Sequence, residues 1–333
     1  IVCETMGGNE PAYTFSKRAL EAGKSVCTSN KELVANHGAE LLRLARENRC
    51  NYFFEASVGG GIPIIRPINN CLTAERIVEV SGILNGTTNY ILTKMEQEGM
   101  LFEEALGQAQ ALGYAERNPE ADVEGYDACR KIAILTSLVA GKTVDFHKIH
   151  TEGITGIDPT DFAYAKKLDA TIKLLAVSRE TEDGYQISVA PYLLKKENAL
   201  AGVNDVFNAV AVCGNTLGDT MFYGRGAGKL PTASAVVADV VECARHLQKT
   251  VGCLWEEGEA KVADFDSQEG RFFVRVSKKA RTDVEKVFGD VVPVVLDSAL
   301  EEFAFVTESM QEAEFEKCRE QIFGFVKKIR IKD

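Results

Sequence analysis

No run of 18 or more apolar residues occurs in this 333-residue sequence, so a membrane-spanning helix is not expected. The first residues, Ile1-Val2-Cys3-Glu4, carry neither a basic segment nor an apolar one and do not read as a secretory leader. There is no initiating methionine, and the chain is expected to begin inside a longer protein. Positive charge is not in excess: 38 Lys and Arg face 49 Asp and Glu, for a net charge of -11. That balance argues against nucleic acid or an acidic membrane as partner, while a small anionic molecule needs only a local positive site. The nine cysteines form no CxxC pair and the four histidines no HExxH spacing. Reduced thiols in a cytoplasmic protein are therefore expected, and no metal site at His147 and His150. Internal repeats and low-complexity tracts are also missing.

What remains has the composition of a soluble globular protein, 45% hydrophobic and 26% charged, with length for two or three domains. The first 70 residues alternate. Residues 1–3 end a strand, and Gly7-Gly8-Asn9-Glu10-Pro11 is a turn. A helix over 11–22 stops at Gly23, and residues 25–28 form a strand. Asn36 is read as the cap of a helix reaching about 48, and 51–56 as the next strand. Strands alternating with helices imply a parallel, doubly wound sheet, which binds ligands beyond the carboxyl ends of its strands. A complete Rossmann domain would open with a strand and GxGxxG. No such motif stands here, so the second half of that fold is expected.

The character changes at residue 73. Residues 76–84 alternate polar and apolar side chains, as a half-buried strand does. Helices are expected over 86–98, 101–112 and 124–140, and strands over 172–178 and 186–191, giving an α+β domain on an open mixed sheet over 73–223. The glycine-rich segment 223–232 leads into an apolar helix over 233–247. By itself that is a turn before a helix, and residues 224–248 are assigned to completing the first domain, 1–72. Residues 266–333 read as a small separate unit. Strands over 271–276, 291–295, 303–307 and 326–331, with helices over 282–288 and 310–324, follow a ferredoxin-like order.

The most informative stretch runs from Ala109 through Gly113-Tyr114-Ala115-Glu116-Arg117-Asn118-Pro119-Glu120-Ala121-Asp122 to Asp127 and Lys131. It sets carboxylates in a loop and then opens a helix on which Asp127 and Lys131, four apart, share a face. Spacing alone is also met by a surface ion pair beside a solvated acidic loop. Four further segments occur in order: Thr28-Ser29-Asn30-Lys31, Glu55-Ala56-Ser57-Val58-Gly59-Gly60-Gly61-Ile62-Pro63-Ile64, Gly82-Ile83-Leu84-Asn85-Gly86-Thr87-Thr88-Asn89-Tyr90, and the loop 224–232. Over about 1–247 the chain resembles the homoserine dehydrogenases.

The resemblance implies reversible hydride transfer between L-homoserine and L-aspartate 4-semialdehyde with NAD or NADP, in the biosynthesis of threonine, methionine and isoleucine. It implies Lys131, Asp127 and Lys31 as the catalytic group. Lys131 is favoured as acid/base and Lys31 is its rival. Glu116 and Asp122 suit the substrate ammonium, with Asp127, Asn85 and Thr87 completing its site. Gly7, Lys31, Gly113, Glu116 and Gly228 would face the dinucleotide. Glu55 with the carbonyls of Val58, Gly60 and Ile62 would hold a monovalent cation such as sodium. A homodimer is expected. The C-terminal unit resembles an ACT domain, but Val276-Ser277-Lys278-Lys279-Ala280 stands where a DxPG turn would be, so threonine is not expected to act through it. Without the first βα turn, these 333 residues alone are expected to bind the dinucleotide weakly and turn over slowly. The alternative reading is a non-catalytic amino-acid-binding regulatory module, against which Lys31, Asp127 and Lys131 stand together.

Overall fold

A computed structural model describes residues 1–253, 255–297 and 301–332. Strand β1 (Val2–Glu4), helix α1 (Ala12–Glu21), β2 (Val26–Thr28), α2 (Lys31–Glu47) and β3 (Tyr52–Phe53) form a parallel three-stranded sheet in the order β1-β2-β3. The boundary of α2 differs from the expectation. Its cap is Asn30, whose Oδ1 accepts from the Leu33 amide at 3.1 Å. Asn36 lies inside the helix and bonds the carbonyl of Glu32. The competing signal was a good cap residue in the wrong place. Asn30 wins because Thr28 and Ser29 directly end the strand, and this puts Lys31 on the first helical turn.

The second layer begins with β4 (Ile77–Ile83), α3 (Gly86–Glu98), α4 (Phe102–Ala111), α5 (Glu120–Val123) and α6 (Tyr126–Ala140). The helix expected over 124–140 starts at Tyr126, after Gly125, whose φ of 82° only glycine adopts readily. Two-residue strands β5 (Lys142–Thr143) and β6 (His150–Thr151) and helix α7 (Pro159–Lys167) lead into the hairpin β7 (Ala170–Thr181)–β8 (Gly184–Lys195). The hairpin β9 (Phe207–Gly214)–β10 (Gly218–Arg225), helix α8 (Lys229–Arg245) and β11 (Glu256–Glu259) follow. Alternation along β7 and β8 divides the core: Ile172, Leu174, Ala176 and Val189 join the main core, whereas Leu175, Ala190 and Leu194 pack with Leu200, Val203 and Ala209. Helix α8 returns to the parallel sheet and lies against β2.

The C-terminal unit contains β12 (Glu269–Ser277), α9 (Arg281–Phe288), β13 (Val292–Val294), β14 (Glu302–Val306), β15 (Met310–Gln311), α10 (Glu312–Arg319) and β16 (Phe325–Lys332). Its main strands pair antiparallel in the order β16-β12-β14-β13, the ferredoxin-like arrangement. Helix α10 is shorter than expected, because residues 310 and 311 bridge to β12. Nor is the unit separate: β16 pairs in parallel with β8, making one mixed sheet of 11 strands among the described residues. Register alone shows how the seam forms, since Arg330, Ile331 and Lys332 stand beside Tyr192, Leu193 and Leu194. Charge reinforces it. Arg275 of β12, 4% exposed, bonds Asp158 at 2.9 Å, Asp161 at 2.5 Å and Glu302 at 2.8 Å. Lys327 shares both aspartates.

Beneath α3, the wholly buried Lys173 donates to the Val203 carbonyl at 2.7 Å and the Asn204 and Asn89 side-chain oxygens at 2.9 and 3.3 Å. Burial lowers its pKa to about 8 from 10.5. Between those values the unfolded chain binds more protons, so the contribution of this group to stability rises with pH. The unfolding free energy of the wild type relative to Lys173→Met is therefore expected to increase between pH 8 and 10, by at most about 1.4 kcal/mol per pH unit. Denaturant titrations giving a pH-independent difference would refute this.

Candidate active site

Three chain segments converge because each ends or starts a regular element. At the carboxyl end of β2, the Thr28 hydroxyl donates to the buried Glu4 and accepts from the Asn30 amide at 2.9 Å. Asn30 in turn caps α2 and donates to the Gly8 carbonyl at 2.7 Å, which ties the Gly7-Gly8 turn to the base of Lys31. At the end of β4, Asn85 caps α3 by accepting from the Thr88 amide at 2.9 Å. Gly125 starts α6, placing Asp127 in the first turn and Lys131 one turn later.

Asp127 is the centre of the group. Its side chain is 6% exposed; Oδ2 meets the Lys131 ammonium and Oδ1 the Lys31 ammonium, each at 2.6 Å. Lys131 also donates to the Leu84 carbonyl at 2.8 Å. The Asn85 amide donates to Asp127 at 2.9 Å and to Asp122 at 2.7 Å. Burial would raise the Asp127 pKa, but the two ammonium groups outweigh it and hold this carboxyl well below the usual range. For Lys31, burial pulls the pKa down; Asp127 overcomes that and the net shift is upward. Asp122 moves the other way: burial raises its pKa, Asn85 opposes this, and the neighbouring Asp127 adds to the rise.

The acidic loop is pinned to α3. Thr87 donates to the Tyr114 carbonyl at 2.6 Å, and the Tyr114 and Tyr90 rings meet edge-on at 5.1 Å. The exposed Glu116 is held through its backbone carbonyl by Gln110 at 3.1 Å, and among the described residues its carboxylate has no partner, so it faces solvent and any ligand. Gly7 and Gly113 have open space where a side chain would stand, and at Gly228 the first atom met is Pro231 Cδ at 3.5 Å. A flat ligand can approach the backbone closely at all three.

In the segment 55–62 the Glu55 side chain has a structural use. The Glu55 carboxylate accepts from the amides of Ile64, Ile65 and Arg66 at 2.6, 2.8 and 2.9 Å, so it caps the following helical turn. That is the stronger use of a buried carboxylate beside three free N–H groups. Any cation there would fall to the carbonyl oxygens of the turn. The carbonyls of Val58, Gly60 and Ile62 accept no hydrogen bond among the described residues. The Gly61 amide donates to the Arg225 carbonyl at 3.3 Å, joining this turn to the loop 224–228.

Sequence reading missed three participants. The Leu84 carbonyl is a main-chain acceptor and leaves no mark in a sequence. Asn208, 1% exposed, lies against Gly86 and Gly226, and neither amide atom has a partner among the described residues. Asp239 of α8 accepts from the Glu55 amide at 3.0 Å and pairs with Arg66; burial raises its pKa to about 6. A lone acid amid Val236-Val237-Ala238 and Val240-Val241 was the available signal for it.

A parallel α/β layer, a mixed sheet beside it and a lysine–carboxylate–lysine centre between them define an α/β oxidoreductase. The homoserine dehydrogenase family model matches residues 63–241. A Bacillus subtilis homoserine dehydrogenase is 39% identical over 95% of this chain and 76% of its own length. One from Synechocystis is 49% identical over 72% of this chain, and the match spans 57% of that protein. The Thiobacillus denitrificans homoserine dehydrogenase structure superposes with a TM-score of 0.92 at 33% identity, covering 100% of this chain and 82% of the other. A hyperthermophilic archaeal homoserine dehydrogenase, solved in complex with NADPH, gives 0.64 at 33% identity over 73% of this chain and 71% of its own. The chain belongs to the homoserine dehydrogenase family. These matches do not favour reading it as a non-catalytic regulatory module.

Proposed function

We propose that this chain interconverts L-homoserine and L-aspartate 4-semialdehyde, with Lys131 as the acid/base. The observation that carries the reading is the buried Asp127 gripping both lysines at 2.6 Å. When bound, the nicotinamide ring supplies or accepts the hydride; an NADPH complex is known for the archaeal relative. Lys131 spends two of its three donors on Asp127 and the Leu84 carbonyl. The third is left for the substrate oxygen, to which it gives a proton as hydride reaches carbon. Asp127 orients both ammonium groups and is too strongly ionised to take the proton itself. Lys31, 42% exposed against 12% for Lys131, lies on the open side and suits contact with cofactor and substrate. Adding the semialdehyde to the full chain with NADPH or NADH tests the reaction: loss of reduced-nicotinamide absorbance is expected, and none would sink the reading.

Glu116 and Asp122 hold the substrate ammonium, with Asn85 and Thr87 fixing the loop that carries them. Gly7, Lys31, Gly113, Glu116 and Gly228 face the dinucleotide. The turn carbonyls of Val58, Gly60 and Ile62, with the main chain of Glu55, take a monovalent cation. The C-terminal unit is ACT-like, a reading supported by its strand order, and the enzyme works as a cytoplasmic homodimer. Glu116→Ala is expected to raise the homoserine KM more than Asp122→Ala does. The Glu116 carboxylate is free to bind substrate, whereas that of Asp122 is already engaged by Asn85. Equal effects in steady-state kinetics would overturn the assignment.

A further inference from the structure

We propose that Cys27 and Cys243 form a redox-switchable cross-link between β2 and α8. Both thiols are completely buried, and their sulfurs lie 3.5 Å apart. All nine cysteines are reduced in this structure. A disulfide requires about 2.05 Å between sulfurs, so oxidation asks the helix and strand to close by about 1.5 Å or to rotate their side chains. The Cys27 thiol and the Ser25 hydroxyl stabilise the thiolate of Cys243 and lower its pKa, while the same hydrogen bond and burial push Cys27 up. Cys243 is therefore the attacking sulfur.

A peroxide is the oxidant. The Cys243 thiol gives up its proton and the thiolate attacks one peroxide oxygen; the O–O bond breaks, the leaving hydroxide takes that proton, and a sulfenic acid and one water result. The Cys27 sulfur then attacks the sulfenic sulfur, the S–S bond forms, the S–O bond breaks and a second water leaves. Two electrons pass from the thiols to the peroxide. The bond would join positions 216 residues apart and anchor α8 to the strand that leads to Asn30 and Lys31. One turn earlier on α8, Asp239 already grips the Glu55 amide and Arg66. Movement of the helix is thereby passed to the turn 55–62.

The test is a peptide map of the full chain after mild hydrogen peroxide, with free thiols alkylated in denaturant and no reductant. A linked Cys27–Cys243 peptide pair lighter by two hydrogens is expected. The Tm should rise by about 5 °C or more, as a closed loop of this length stabilises the fold. Dithiothreitol should reverse the shift, and Cys243→Ser treated alike should show none. If Cys27 and Cys243 both stay alkylatable while the exposed Cys3 and Cys71 are consumed, the pair is only packing and the proposal fails.

Discussion

Replacing Lys131 with alanine is expected to lower turnover by roughly 10²–10⁴-fold while the protein remains folded. The size follows from removing a positioned proton donor. The tolerance of the fold follows from Asp127, which keeps Lys31 at 2.6 Å and the Asn85 amide at 2.9 Å when Lys131 is gone. The carboxylate is thus not left buried and unpaired, which would be the costly outcome. Steady-state kinetics in both directions, with circular dichroism as a check on folding, decide the matter. Near-normal turnover would transfer the acid/base role to Lys31.

The second large effect concerns stability. Arg275→Ala is expected to cost about 3–5 kcal/mol, because it removes the principal cation from a buried charge cluster. Asp161, with no exposed surface, would keep Lys327 at 2.5 Å as its one cation, beside the Asp158 amide at 2.9 Å, and Glu302 would lose both of its bonds to the guanidinium. Since the cluster joins α7 to the C-terminal unit, unfolding by urea should become broader or biphasic as that unit loosens first. The kinetic constants of the remaining folded protein should change little, because none of these residues touches the Asp127 group. A loss below about 1 kcal/mol would mean that Lys327 alone neutralises the two aspartates.

Much of the site was legible because its residues sit at element boundaries, where chemistry is written locally. Asn85-Gly86-Thr87-Thr88 reads as a capped helix start, and Asp127 and Lys131 one turn apart read as a pair on one face. The misplaced cap at Asn36 shows the limit of that reading: two asparagines six residues apart offer the same side chain. The amides of Leu33 and Val34 decide between them, since both donate to Asn30 and the helix is under way before Asn36 is reached. The part played by the Glu55 carboxylate was hidden for a related reason. A carboxylate next to a glycine turn suits a cation as well as a helix cap, and only the fold reveals three amides aimed at it.

The sequence by itself determined the periodic elements, the family resemblance and the pairing of Asp127 with Lys131, all of which depend on neighbours within a turn or a strand. The tertiary structure alone decided what lies far apart in the chain. It brought Lys31 to Asp127 across 96 residues and set the Leu84 carbonyl on Lys131. It fused β16 to β8, so that an apparently separate unit became part of one sheet. The physical reason is that backbone hydrogen bonding and charge neutralisation are satisfied wherever the packed layers present a partner, and sequence spacing carries no record of where that will be.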